Sequence, residues 1–307
     1  MQAKQPFRVK SIYEFHQLRN LPKPEHPLIS VINLEDVPKF PENISSLVLD
    51  FYSVSFKENF TGTFKYGQQE YDFNEGTMFF MAPNQVFRIE HNPNETAKQL
   101  GWKWLLLIHP DFFWNTSLAK TIKQYEFFDY SANEALFLSE KEEATIDGII
   151  ANIQQEYHAN IDKFSKKIII THLENLLSYS DRFYNRQFIT REKANHKILE
   201  RLEKLLSGYF NSNDLISQGL PTVQHIAEEL NVSPNYLGSL LKVLTGQTTQ
   251  QHIHDKLIEK AKEKLSTTNL TVSEIAYELG FEHLQSFSKL FKTKTQLSPL
   301  QFRHSFN

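Results

Sequence analysis

An α+β chain, with an antiparallel β barrel or sandwich followed by an all-α region, is what three features of the sequence predict. Between Leu47 and His109 short runs rich in aromatic and β-branched residues are separated by Gly, Asn and Pro turns, the pattern of a small antiparallel barrel. From Ser139 onward apolar residues recur at steps of three and four, the period of a helix. From Val223 onward one helical pattern occurs twice, at an offset near 49 residues.

The composition excludes several classes. At 307 residues the chain is long enough for two domains, and its zero cysteines rule out disulfides and thiolate metal sites and fit a reducing cytoplasm. The opening MQAKQPFRVKSIYEF has no apolar signal core, and no later run approaches the roughly 20 apolar residues of a membrane span, so a soluble cytoplasmic protein without a membrane partner is expected. Net charge is −3; from Asn195 onward 12 Lys+Arg stand against 11 Asp+Glu, a balance less basic than is usual for a nucleic-acid-binding domain.

Residues 1 to about 40, punctuated by prolines at 22, 24, 27, 38 and 41, read as an arm with one or two edge strands. The barrel strands follow in LVLDFYSVSFKE, GTFKYGQQEYDF, GTMFFMAPNQVFRIE and LGWKWLLLIH. Phe64 with Tyr66 and Trp102 with Trp104 are i, i+2 pairs, each expected to face one side of its strand, with Lys65 and Lys103 between them. They have two readings, a packed aromatic core or a ring-lined pocket for a small-molecule effector. Residues 61 to 90 contain no histidine, so the barrel is expected to hold no metal, to need no cofactor and to catalyse nothing; His91 and His109 read as surface or loop residues.

Ser139 with Glu142 forms a capping-box pattern, and Ile146, Ile149, Ile150, Ile153 and Tyr157 make an apolar stripe on a helix to about His158. A second stripe runs through Phe164, Ile168, Leu173, Leu176 and Leu177. FYNRQFITREKAN, residues 183–195, is polar and basic with little apolar periodicity, and reads as a linker between a domain at 1–182 and another at 196–307.

The last hundred residues carry the sharpest signal. Thr271 and Glu274 make a capping box that starts a helix with Val272, Ile275, Ala276 and Leu279 on one face, and Gly280 ends it. A second helix buries Leu284, Phe287, Leu290 and Phe291 and leaves His283, Gln285, Ser286, Lys289 and Lys292 outward. Ser298 and Pro299 begin a short closing helix that places Phe302 beneath the pair. Two short helices around a tight turn, the second presenting hydrogen-bonding and cationic side chains, suit a DNA major groove. Val223, Ile226, Ala227, Glu229 and Leu230 repeat the pattern 49 residues earlier, with one residue added in the second turn of the later copy. A helix from Thr249 to about Ser266 joins the copies; in it His252 and His254 point about 200° apart and cannot chelate one metal.

The succession IAEELNVSPNYLGSLLK, KLIEKAKEKL, IAYELGF, QSFSKLFK and SPLQFR resembles the AraC/XylS family of bacterial transcription regulators. The run Gly76 to Pro83 followed by Asn84 and Gln85 resembles, more weakly, the second half of the cupin barrel that carries the effector site in arabinose-responsive members. The resemblance implies a cytoplasmic regulator or activator with a cupin-like sensor and two helix-turn-helix units on double-stranded DNA. It implies a homodimer paired through the helical segment 139–182, with Ile168, Leu173 and Leu176 in the seam, and RNA polymerase as a further partner. The family commonly has a basic residue where this chain has Ser239 and a bulkier one at Gly238, so the first recognition helix is left with Asn235, Tyr236, Ser239 and Lys242. Base reading is therefore expected mainly from the second. Rival readings are a constitutive regulator whose barrel is a dimerisation platform, and a cupin-fold enzyme, for which no metal triad, cysteine nucleophile or phosphate loop is present.

Overall fold

The computed structural model describes residues 6–34, 37, 40–41, 43–58, 64–66, 69–71, 76–89, 101–131, 134–160, 162–211, 215 and 219–305. The chain divides into two compact units, Met1–Gln187 and Phe188–Asn307.

In the first unit, β1 (Phe7–Val9) leads into helix α1 (Ile12–Leu18), an element absent from the sequence reading of an arm. Its start was legible: Ser11 Oγ accepts from the Glu14 amide and Glu14 Oε2 accepts from the Lys10 amide, while Ile12 and Phe15 are buried. There follow β2 (Ile29–Asn33), β3 (Ser46–Leu49), β4 (Tyr52–Lys57), β5 (Phe64–Tyr66), β6 (Gln69–Tyr71), β7 (Gly76–Met81), β8 (Val86–Arg88) and β9 (Trp102–Ile108). After a short helix α2 (Leu118–Thr121) comes β10 (Leu136–Leu138). The main sheet has the order β10-β7-β4-β9-β2, antiparallel throughout, and a smaller sheet has the order β1-β3-β8 with β1 parallel to β3. Val9, Leu47 and Leu49 from the small sheet meet Ile32 and Leu107 from the large one in a single core, so the two sheets enclose the interior of the barrel.

The outer face of the large sheet is covered by helices. α3 (Glu140–Tyr157) begins at the Ser139/Glu142 capping box and buries the expected isoleucine stripe. α4 (Ser165–Thr190) buries Ile169, Ile170, Leu173, Leu176, Leu177, Phe183 and Tyr184. Leu173 and Leu176, expected in a dimer seam, are thus 1% and 0% exposed in the single chain, and of the three proposed seam residues only Ile168, at 40%, is open. The second stripe had merged two faces: Phe164 and Ile168 lie outward, Leu173 and Leu177 inward.

The segment 183–195, expected as a linker, contains the division between the two units. Most of it is helical, belonging to α4 and to α5 (Glu192–Asn211), and the two units divide within α4, after Gln187. Its polarity concealed its burial. Gln187 is fully buried because its side chain accepts from the Phe137 amide (2.8 Å) and donates to the Ala135 carbonyl (3.1 Å). Arg186 pairs with both oxygens of Glu142 (3.0 and 2.6 Å) and donates to the Phe137 carbonyl (2.6 Å). The edge strand β10 therefore finds its outer hydrogen bonds on α4 rather than in water.

A β-bulge decides the fate of the two tryptophans. Phe56 pairs with Trp104 but Lys57 pairs with Trp102, so Lys103 is the extra residue and the strand's alternation inverts there. Trp102 joins Leu105 against the interior core and meets Phe79 (5.4 Å between rings), with the Lys57 ammonium 5.7 Å from its ring. Trp104 faces α3 instead, 4% exposed, stacked on Phe56 at 5.7 Å, its Nε1 donating to Asp147 (3.3 Å). The expectation that both rings share one side is thus overturned, and Trp104 belongs to the sheet–helix packing. Phe64 and Tyr66 pair through their strands with Tyr71 and Gln69, but their side chains lie outside the described residues, as does His91.

Candidate nucleic-acid interface

The second unit is built from two copies of one helical device, each stop and start visible in the residues. α6 (Val223–Leu230) is capped by Thr222, whose hydroxyl accepts from the His225 amide, and ends at Asn231 in the left-handed region (φ 60°). α7 (Pro234–Thr245) starts at Ser233 with proline in its first turn and ends at Gly246 (φ 73°). α8 (Thr249–Thr267) opens with a capping box of Thr248 and Gln251. The second copy repeats this order: α9 (Val272–Glu278) has the Thr271/Glu274 box, Gly280 follows at φ 82°, and α10 (Leu284–Thr295) ends at Gln296 (φ 64°). α11 (Pro299–His304) opens with a Ser298/Gln301 box that matches Thr248/Gln251.

The register of the repeat can now be placed residue by residue. Val232 donates its amide to the Ala227 carbonyl and Phe281 to that of Ala276, both at 3.0 Å, so the copies run in step at 49 residues through the first stop. Ser233 and His283 then both precede a recognition helix at an offset of 50, which makes Glu282 the added residue. Inside, Ile226, Ala227, Leu230, Leu237 and Leu241 correspond to a second core of Ile275, Ala276, Leu279, Phe287 and Phe291, each buried, whereas Leu240 is buried and its counterpart Leu290, like Leu284, is only half-buried, short of the burial expected for both. Phe281, Phe287, Phe291 and Phe302 form a chain of ring contacts at 5.4 to 5.8 Å beneath α10.

That core orients the side chains left outside. On α10, His283, Gln285, Ser286, Lys289 and Lys292 are all exposed, as the sequence predicts. Gln285, Ser286 and Lys289 lie within one turn of one another and present a carboxamide, a hydroxyl and an ammonium. On α7, Asn235 and Lys242 are exposed and Ser239 and Gly238 half-buried. Tyr236 is a correction: at 2% exposed it packs edge-on against Phe188 (5.2 Å) and does not face outward. Its spacing of four from Leu240 was the signal that it sits on the core face.

Charge is distributed to suit the same surface. Along α8 three of the four lysines are engaged by acids, Lys256 with Glu259 and Lys260 with Glu263 (both 2.8 Å), and Lys264 with Glu278 on α9 (2.6 Å). Glu274, although exposed, is held below the usual carboxylate range by the Thr271 amide and hydroxyl, so it serves the helix start. His252 contacts the Thr245 hydroxyl (2.9 Å) and His254 the Gln250 side chain (2.8 Å), and burial keeps both below the ordinary imidazole value. Among the described residues no cluster of three His, Cys, Asp or Glu is placed to hold a metal.

Comparison with known proteins bears on both units. Residues 226–305 match the family described as helix-turn-helix domain, and residues 48–177 match the family described as AraC-like ligand binding domain. The chain belongs to the AraC/XylS family of transcription regulators. It is similar to the uncharacterized HTH-type transcriptional regulator YfiF of Bacillus subtilis, 24% identical over 82% of this chain and 76% of that protein. It is also similar to the HTH-type transcriptional activator RhaS of Salmonella paratyphi A, 22% identical over 83% of this chain and 85% of that protein. A solved C-terminal domain of the two-component response regulator yesN from Fusobacterium nucleatum is 34% identical over 33% of this chain and 96% of its own, with a TM-score of 0.29. The regulator is thus a DNA-binding member with a ligand-binding type of N-terminal unit. No described helix is long and apolar enough to cross a membrane.

Proposed function

We propose that this regulator reads two successive major-groove segments of double-stranded DNA with α7 and α10, and that base discrimination is concentrated in α10. The supporting observation is the difference between the two helices: α10 exposes Gln285, Ser286 and Lys289 together, whereas the middle of α7 is occupied by half-buried Gly238 and Ser239. A glutamine carboxamide matches the paired donor and acceptor of adenine, and Lys289 matches guanine or a phosphate. His283 lies at the start of α10 beside them, Asn235 is the one polar side chain at the start of α7, and Lys242 and Lys292, late in their helices, are assigned to phosphates. In a binding-site selection with the full chain, Gln285→Ala costs about 1–3 kcal/mol on the selected site and relaxes one base position. Asn235→Ala with Ser239→Ala does less. Loss of specificity in the second pair of changes, with retention in the first, refutes the assignment.

Two further readings complete the proposal. An effector occupies the barrel interior on the face that carries Trp102, Phe79 and Lys57, with Ser53, Ser55 and Thr77 on the same face; Thr77 Oγ1 is buried and has no hydrogen-bond partner among the described residues. The regulator pairs as a homodimer through the start of α4, where Ile168 and, just before the helix and one turn away, Phe164 are exposed large apolar side chains. A cytoplasmic, non-catalytic protein that contacts RNA polymerase once on DNA is the role these features suit.

A further inference from the structure

We infer that Asp255 is a positioning residue that sets the spacing between the two DNA-reading helices. It lies on α8, the element shared by both copies, and its carboxylate is held from both sides. One oxygen accepts from Gln247 Nε2 at 3.0 Å, and the other meets Lys294 Nζ at 2.6 Å. Gln247 directly follows Gly246, the stop of α7; Lys294 lies in the last turn of α10, two residues before its stop at Gln296. One side chain therefore ties together the C-terminal ends of both recognition helices. Gln247 lies one residue after the stop of α7 and Lys294 two residues before that of α10, and neither has its counterpart in the other copy, where Leu297 and Leu244 stand. The bridge is thus an addition to the repeat and does not follow from it.

The surroundings favour this role over a simple surface ion pair. Asp255 accepts hydrogen bonds from the turn after α7 and from α10, and His252 and His254, three residues and one residue before it in the chain, are both kept below the ordinary imidazole value, first by burial. The cation that meets the carboxylate is Lys294, while the two imidazoles contact Thr245 and Gln250. Lys294 is thereby spent on α8, while Lys289 and Lys292 of the same helix remain on the exposed side. The spacing matters because one inserted base pair moves the second half of a site by about 3.4 Å and about 35° around the duplex. A reader whose two helices are fixed to each other tolerates that poorly.

The inference rests on the two-helix reading of DNA, and one experiment separates them. Wild type, Asp255→Asn, Lys294→Met and the double variant, each as the full chain, are used to select sites from a random duplex library, and the length of the gap between the two half-sites is counted. Wild type is expected to enrich one gap length. Both single variants are expected to lower its advantage over gaps one base pair longer or shorter by about two- to fivefold, as befits an exposed ion pair, and the double variant by no more than either. A pure charge effect gives a different result: Asp255→Asn strengthens and Lys294→Met weakens binding on every gap alike, with the gap preference unchanged. That outcome overturns the inference while leaving the two-helix reading intact; failure of the wild type to enrich any two-part site overturns the two-helix reading and the inference with it. Gln247→Leu, which removes the other arm without altering charge, is expected to broaden the gap as the single variants do, and an unchanged gap there counts against the inference.

Discussion

At the scale of single residues, two stops in the second unit show how backbone geometry and residue type pull against each other. Gln296 occupies the left-handed region, where a side chain with a Cβ is strained, and its own hydrogen bond to the Thr293 carbonyl is long at 3.3 Å. Gln296→Gly is expected to raise stability by about 0.5–1 kcal/mol, a shift of a few degrees in Tm. Gly280 is the opposite case. A Cβ there would stand 3.1 Å from the Leu215 carbonyl oxygen and from the Gly219 carbonyl carbon, in addition to the strain of φ 82°. Gly280→Ala is therefore expected to cost about 1–3 kcal/mol. Thermal unfolding of the two variants beside wild type checks both signs, and a neutral or stabilising Gly280→Ala contradicts the close approach.

At the scale of elements, α4 is where sequence reading and structure part company most instructively. Its inward face mixes leucines with Gln187 and Ser180, both fully buried, so apolar counting alone ends the helix early. Burial there is earned by hydrogen bonds to β10 and to the helix's own Leu176 carbonyl, which no periodicity of hydrophobic letters records. The bulge in β9 is hidden for a related reason: Lys103 is an ordinary strand residue, and only the pairing register reveals that it is extra. By contrast the helix starts at Ser139 and Thr271 were legible to the residue, because a capping box states its geometry in two side chains, and so was that at Ser298, from the proline after it. The two faces of α4 also make a clean experiment. Ile168→Asp places a charge on the exposed face proposed for pairing and is expected to give a folded monomer. Leu173→Asp places it in the core and is expected to prevent folding. Sedimentation and circular dichroism distinguish these, and an Ile168→Asp variant that still dimerises removes α4 from the interface.

At the scale of the whole molecule, the question is whether the first unit senses or merely pairs. A ligand present at 100 times its Kd stabilises the protein that binds it by about 2.7 kcal/mol. Thermal midpoints measured across sugars, aromatic acids, bile acids and fatty acids are expected to show one class that shifts the first unit. Trp102→Leu, on the interior face, is expected to abolish that shift. Trp104→Leu, on the α3 side, should lower the baseline stability and leave the shift in place. No shift from any class favours the barrel as a platform. The second unit, for its part, carries a lesson about inheritance. Its leading copy spells its two stops Asn231 and Gly246, its trailing copy Gly280 and Gln296, so at neither stop do the letters agree, yet all four residues hold φ between 60° and 82°. What the two halves have handed down in common at these points is a torsion angle, and a comparison that scores only residue identity passes over the places where their correspondence is closest.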